Sequence, residues 1–310
     1  MMHTYSIVAC DPRTGQLGVA VQSHYFSVGS VVPWAEAGVG AVATQSFVRI
    51  DYGPEGLALM RHGMTAPQAL AALLERDDGR EVRQVAMVDA KGNVAAHTGS
   101  RCIPGAGHLI GDGFSVQANL MANDSVWPAM KAVYEAASGE LVDRLIAALE
   151  AAQAAGGDIR GQQSAAIRVV VGERQAETWQ GCLFDLRVED HLTPIAELKR
   201  LVRLRRAYRL ADQGDELVAS GEFDAALAAY AQAADLAPEM IELRFWQAVT
   251  LFQVGKEDDA LAIFREVFSK EPFWSDLVPR LAPLGLLPNE PGVIQRIVGQ
   301  ARTGRSAATS

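Results

Sequence analysis

At 310 residues, 49% of them hydrophobic and 21% charged, the chain has enough material for two domains with cores of their own. A net charge of -9 and a pI near 5.2 argue against nucleic-acid binding, which neutralises phosphate with Lys and Arg. No apolar run approaches the roughly 18 residues of a membrane helix, and the start MMHTYS lacks a basic segment followed by an apolar one, so a cytoplasmic protein with no membrane partner is expected.

The first predicted element is a hairpin. Tyr5 to Asp11 and Gln16 to Ser23 are rich in Val, Ile and aromatic residues, and the turn between them ends in Gly15, which takes φ > 0 without strain. Val39 to Gln45 reads as a further strand. The period then changes: Pro54 to Arg61 and Ala66 to Arg76 read as helices with Leu57, Leu70, Leu73 and Leu74 inward and Pro67 in a first turn. Gln84 to Asp89 and Asn93 to His97 flank Gly92 as a second hairpin, and a strand follows over Phe114 to Asn119. Helices are predicted over Val126 to Ala137 and Glu140 to Ala154, and strands over Ser164 to Val171 and Cys182 to Val188. Strands, paired helices, strands, paired helices and strands is the order expected when two sheets are each covered outside by helices.

Cys10, Cys102 and Cys182 are scattered, which fits reduced, buried thiols. His3, His24, His62, His97, His108 and His191 have no metal-ligand spacing. No metal and no cofactor are expected.

Thr4 stands at the start of the first strand. A threonine with a free amino group carries nucleophile and base on one residue, because an α-amine with a pKa of about 7.7 to 8.0 accepts the hydroxyl proton as the oxygen attacks a carbonyl. Thr4 is internal in the translated chain, and with Met2 in second place, initiator removal does not expose it, so His3-Thr4 has to be cut. The plain alternative is a β-branched residue that suits a strand.

The stretch TYSIVACD, TG, LGVAVQS, with VVPWAEAGVGAVATQ at Val31 to Gln45, resembles the signature of a bacterial family of unknown function placed in the N-terminal-nucleophile hydrolase superfamily. GDGFSVQANL (Gly111 to Leu120), GDIRGQQSAA (Gly157 to Ala166) and DLRVEDHLTPIAEL (Asp185 to Leu198) resemble it too. The resemblance implies an α+β fold, a four-layer αββα sandwich, and an amide hydrolase that acts through Thr4. It implies no particular substrate; a small non-peptide amide or a short peptide fits the chemistry. It also implies that a polar group near a late strand supports the threonine, which makes Asp158 and Ser164 candidates for orienting its amine. Arg160, Gln162 and Gln163 share that Gly-flanked loop, and Arg160 and Gln163 are taken as substrate-binding. The same loop also reads as a plain turn with an Asp cap. Ser23, Thr44, Gln45 and Asn119 end or follow apolar strands and are expected to line the cleft between the sheets, although strand-end hydrogen bonds explain them as well. Proteasome-like members carry a lysine soon after the threonine, whereas Lys91 is the first lysine here.

The last third differs. Gly221, Ala226, Tyr230 and Pro238 recur as Gly255, Ala260, Phe264 and Pro272, each 34 residues on, which is the tetratricopeptide period. The expected layout is a sandwich over 1–195, the start of a linker helix over 196–206, two repeats over 207–272, capping helices over 273–300 and a disordered tail over 301–310. Lys199, Arg200, Arg203, Arg205, Arg206 and Arg209 on the joining helix are expected to pair with acidic residues of the repeats. The repeats would bind a protein partner or a second copy. The chain is then an amidase carrying an interaction module, or else a scaffold whose sandwich has no chemistry.

Overall fold

The computed structural model describes residues 4–301; the expected cut before Thr4 and most of the expected tail concern residues outside that range. Contacts divide the chain into two compact units that meet between Val202 and Arg203.

The first unit holds two antiparallel sheets. In the six-stranded sheet the order is β10-β9-β2-β1-β8-β7, and in the four-stranded sheet it is β3-β4-β5-β6. The first hairpin, β1 (Thr4–Cys10) and β2 (Leu17–Ser23), is buried along both strands and lies in the middle of the larger sheet. Its turn closes where the Asp11 N–H donates to the Gln16 carbonyl at 2.8 Å, with Gly15 at φ 69° and the Asp11 carboxylate accepting from the Arg13 N–H and the Thr14 hydroxyl. The smaller sheet is β3 (Pro33–Glu36), β4 (Gly40–Ser46), β5 (Arg83–Asp89) and β6 (Val94–Thr98). The larger is completed by β7 (Gly107–Gly111), β8 (Phe114–Ala118), β9 (Ser164–Val170) and β10 (Cys182–Val188). Strands β3 and β7 were not expected from the sequence: β3 is four residues long and begins at Pro33, and β7 has glycine at both ends, so neither offers the alternation that marks a strand.

Side-chain alternation assigns the faces. Tyr5, Ile7 and Ala9 of β1 pack outward against α3 (Val126–Ala136) and α4 (Leu141–Ala154), with Met130, Leu145 and Leu149 in that core. Val8 and Cys10 face the other sheet and meet Val19, Val21, Ala41, Ala43, Ala86 and Val88. On the far side Val42, Val85 and Met87 pack against α1 (Tyr52–Arg61) and α2 (Ala66–Glu75) through Leu57, Leu70 and Leu73. The start of α2 is fixed by a capping box in which the Thr65 hydroxyl accepts from the Gln68 N–H and the Gln68 side chain accepts from the Thr65 N–H. Cys10 and Cys102 are buried, but Cys182, at the start of an edge strand, is only half-buried, so the expected burial holds for two thiols of three.

The second unit is helical. The 27-residue α5 (Pro194–Ser220) runs through the division between the units, seven residues beyond the expected sandwich limit of 195. Its C-terminal half and α6 (Phe223–Leu236) form one hairpin, and α7 (Ile241–Gln253) and α8 (Glu257–Lys270) a second. Gly221 and Gly255 occupy the two tight turns at φ 81° and 79°. Ala226 and Ala260 are fully buried, as are the ring positions Tyr230 and Phe264. A short α9 (Val278–Leu281) and α10 (Pro291–Val298) close the core through Val278, Leu281 and Ile297. Of the basic residues on α5, Arg203 binds Glu239 of the repeats, whereas Lys199 reaches Glu150 of α4 and Arg200 its own helix neighbour Glu197.

A polar seam at one end of the sheets

The inner layer between the sheets is apolar over most of its length and becomes polar at one end. There the strands that carry Val8, Val21, Ala43, Ala86 and Ala166 continue the same faces with Thr4, Ser6, Ser23, Gln45, Gln84 and Ser164, all fully buried. Buried side-chain amides and hydroxyls are tolerated only when their hydrogen bonds are made inside the protein.

Thr4 opens β1 opposite Ser23, and its hydroxyl donates to Ser23 Oγ at 3.2 Å. Its carbonyl accepts from the Asn119 N–H at 3.1 Å, from Gln45 Nε2 at 3.2 Å and from Asn119 Nδ2 at 3.5 Å. The Ser6 hydroxyl donates to Gln45 Oε1 at 2.6 Å and accepts from Gln117 Nε2 at 2.6 Å, so the seam ties β1 to both sheets. Behind β1, the Tyr5 hydroxyl donates to Gln153 Oε1 at 2.9 Å; burial, and then the nearby Asp158, pushes its pKa well up and keeps it protonated.

The loop before β9 folds over the end of β2. Asp158, fully shielded, accepts from the His24 N–H at 3.1 Å and is gripped by Arg160 through Nη2 at 2.7 Å and Nε at 3.0 Å. Ser164, opposite Ser23 in the register, donates to the Tyr25 carbonyl at 2.5 Å and accepts from the Val28 N–H at 3.1 Å. Gln163 continues the ladder, its N–H on the Ser23 carbonyl at 3.1 Å, and its side chain turns to Asp190. Among the described residues, the three non-glycine positions with positive φ, Ser27, Ser46 and Leu120, all lie at this end, following β2, ending β4 and following β8. Such backbone costs about 1 to 3 kcal/mol per position and concentrates at functional sites.

Thr4, Ser23, Gln45 and Asn119 are thus brought together. Asp158 and Ser164 stand beside Ser23 and its loop, and Arg160 and Gln163 sit further out. Thr44 is a correction: it shares the outer face of β4 with Val42, and its hydroxyl donates to the Arg49 carbonyl at 3.0 Å, so it does not line the space between the sheets. Gln84, Ser6, Ser115 and Gln117 were missed. Their signal was polar residues on the inner face of buried strands: Ser115 and Gln117 alternate with apolar residues in FSVQA, and Gln84 is the one polar inner position of RQVAMVD. Among the described residues no three of His, Cys, Asp or Glu gather in a way that could hold a metal ion, and no helix is long and apolar enough to cross a membrane.

The model of a family of unknown function, DUF1028, matches residues 4–198, which carry the seam and both sheets, and a tetratricopeptide-repeat model matches residues 217–278. The chain belongs to the DUF1028 family, with tetratricopeptide repeats following. A solved structure of a Silicibacter pomeroyi protein assigned to the same family is 32% identical, with a TM-score of 0.58 over 65% of this chain and 84% of its own. The Anbu (ancestral beta-subunit) protein of Yersinia bercovieri is 11% identical with a TM-score of 0.30 over 71% of this chain and 97% of its own, too slight a likeness to carry an argument. No curated protein matches.

Proposed function

We propose that the first unit is an N-terminal-nucleophile amide hydrolase whose four layers, α1 and α2, two sheets, α3 and α4, carry Thr4 as the nucleophile. The observation that carries this reading is the placement of Thr4: a hydroxyl at the head of a central strand, bonded to Ser23 and with its carbonyl held by three donors, at the end where the strained residues gather. Cleavage of the bond before Thr4 frees its α-amine. The hydroxyl oxygen then attacks a substrate amide carbon, and the α-amine takes the hydroxyl proton. The tetrahedral intermediate expels the amine, which leaves with that proton, and the acyl group stays on Thr4 as an ester. Water hydrolyses the ester and releases a carboxylic acid. Asp158 and Ser164 support the site by fixing residues 24–28 beside Ser23, and Arg160 and Gln163 border the approach of a small amide or short peptide.

The repeats add partner binding or self-association, which is what stacked helical hairpins with buried small and aromatic positions supply. Amino-terminal sequencing and intact mass, with turnover of an amide panel by the native chain and by Thr4→Ala, test the reading. Thr4 as first residue and activity lost in Thr4→Ala is the expected result. An uncut bond before Thr4 and no turnover would leave the scaffold reading.

A further inference from the structure

We infer that Gln84 is the positioning residue for Thr4, acting through the two side-chain amides that hold the Thr4 carbonyl; this rests on the reading of Thr4 as nucleophile. Gln84 Nε2 lies 2.8 Å from the Ala118 carbonyl, 3.2 Å from the Gly107 carbonyl and 2.9 Å from Thr98 Oγ1. Backbone carbonyls only accept, so this end of the side chain is its NH2 and the other end its oxygen. Thr98 Oγ1 also lies 2.8 Å from His108 Nδ1; with the His108 proton on Nε2, the Thr98 hydrogen goes to Nδ1 and its oxygen accepts from Gln84. Burial, with a smaller contribution from His97, holds His108 below its usual pKa, which favours the neutral ring.

Gln84 Oε1 therefore faces Gln45 Nε2 at 2.7 Å and Asn119 Nδ2 at 2.9 Å. An oxygen there forces both neighbours to turn their NH2 groups toward it, and those same NH2 groups reach the Thr4 carbonyl at 3.2 and 3.5 Å. With Gln45 so turned, its own oxygen is left for the Ser6 hydroxyl. One fully buried carboxamide, anchored on two backbone carbonyls across the sheets, thus sets the direction of the two side-chain amides that donate to the Thr4 carbonyl among the described residues. A flip of either neighbour would set an amide oxygen against the Thr4 carbonyl oxygen.

Gln84→Met and Gln84→Glu separate positioning from packing. Glutamate keeps an oxygen for Gln45 and Asn119 but puts the other against two carbonyls, whereas methionine fills the space and offers neither group. The mature full-length chain is treated with a β-lactone, the Thr4 adduct is followed by mass, and thermal stability is measured on the same samples. The expected result is labelling about tenfold slower in Gln84→Met, the scale of one lost hydrogen bond, and close to native in Gln84→Glu, although Gln84→Glu is the less stable. Native labelling in Gln84→Met, or labelling that follows stability in both variants, would overturn the inference while leaving Thr4 as nucleophile. A native chain unlabelled at Thr4, or labelled equally in Thr4→Ala, would overturn the nucleophile reading, and the inference with it.

Discussion

The hydroxyl of Thr4 donates to the hydroxyl of Ser23 across the central strand pair, 3.2 Å apart and with both residues fully buried. The two are Cα partners in the β1–β2 register, so no loop has to move to bring them together. Ser23→Ala should therefore leave the fold intact and slow turnover about tenfold, the scale of one lost hydrogen bond, whereas Thr4→Ala abolishes it. Asp158→Asn and Ser164→Ala should fall between native and Thr4→Ala, since each alters the support of a nucleophile still present. Equal rates for Ser23→Ala and the native chain in a steady-state assay would show that the contact has no part in the chemistry.

Asp77 provides a pH-dependent contribution to stability. Burial alone would raise its pKa, but donors from Arg83 at 2.9 Å, the Gly79 N–H at 2.9 Å and the Tyr52 hydroxyl at 3.0 Å outweigh it and bring the value down to about 2. A folded-state pKa below the unfolded value of roughly 3.9 means that the stabilisation is complete above pH 4 and is lost as pH falls from about 4 to 2. The size is about 2 kcal/mol. Asp77→Asn should flatten the pH dependence of unfolding in that window; an unchanged slope in urea titrations at pH 2 to 5 would contradict this.

Gln22 is the converse of Gln84. It lies on the outer face of β2 between Tyr5 and Ala165, fully buried, with no hydrogen-bond partner for either side-chain polar atom among the described residues. An unsatisfied buried amide costs about 1 to 3 kcal/mol. Gln22→Met, similar in length and without polar ends, should raise the melting temperature. A lowered one would show that the amide makes bonds of its own.

In the repeats, Ala226 is fully buried where α6 meets its neighbours, and Ala226→Leu forces three extra carbons into a filled contact. The expected loss is about 1 to 3 kcal/mol, read from denaturant unfolding followed by the fluorescence of Trp246 and Trp274. A midpoint unmoved from the native one would show that the helices do not touch there.

The elements with strong periodicity were legible in the sequence, often to within a residue at each end: α2, β9 and β10 are examples. Strands β3 and β7 were not, because proline and glycine break the local pattern and only pairing with β4 and β8 makes them strands. At the site, Thr4, Gln45 and Asn119 were legible as polar ends of apolar runs. Thr44 was misassigned for want of a face: adjacent residues of a strand point to opposite sides, and the sequence does not say which side meets the second sheet. Gln84 was missed because both faces of β5 are buried, so its one polar inner position looked like noise within a strand.

The order of the two sheets leaves β10, β7, β3 and β6 as outer strands, and each is poorly suited to receive another strand. β3 is four residues long and starts with a proline, β7 is bracketed by glycines, β6 spans five residues, and β10 carries the exposed charges Asp185 and Arg187 with a register break between Cys182 and Phe184. Short, charged or interrupted borders discourage neighbouring copies from extending a sheet through backbone bonds. Once folded, a chain this rich in buried strand thereby has a built-in defence against edge-to-edge fibrous association at high protein concentration.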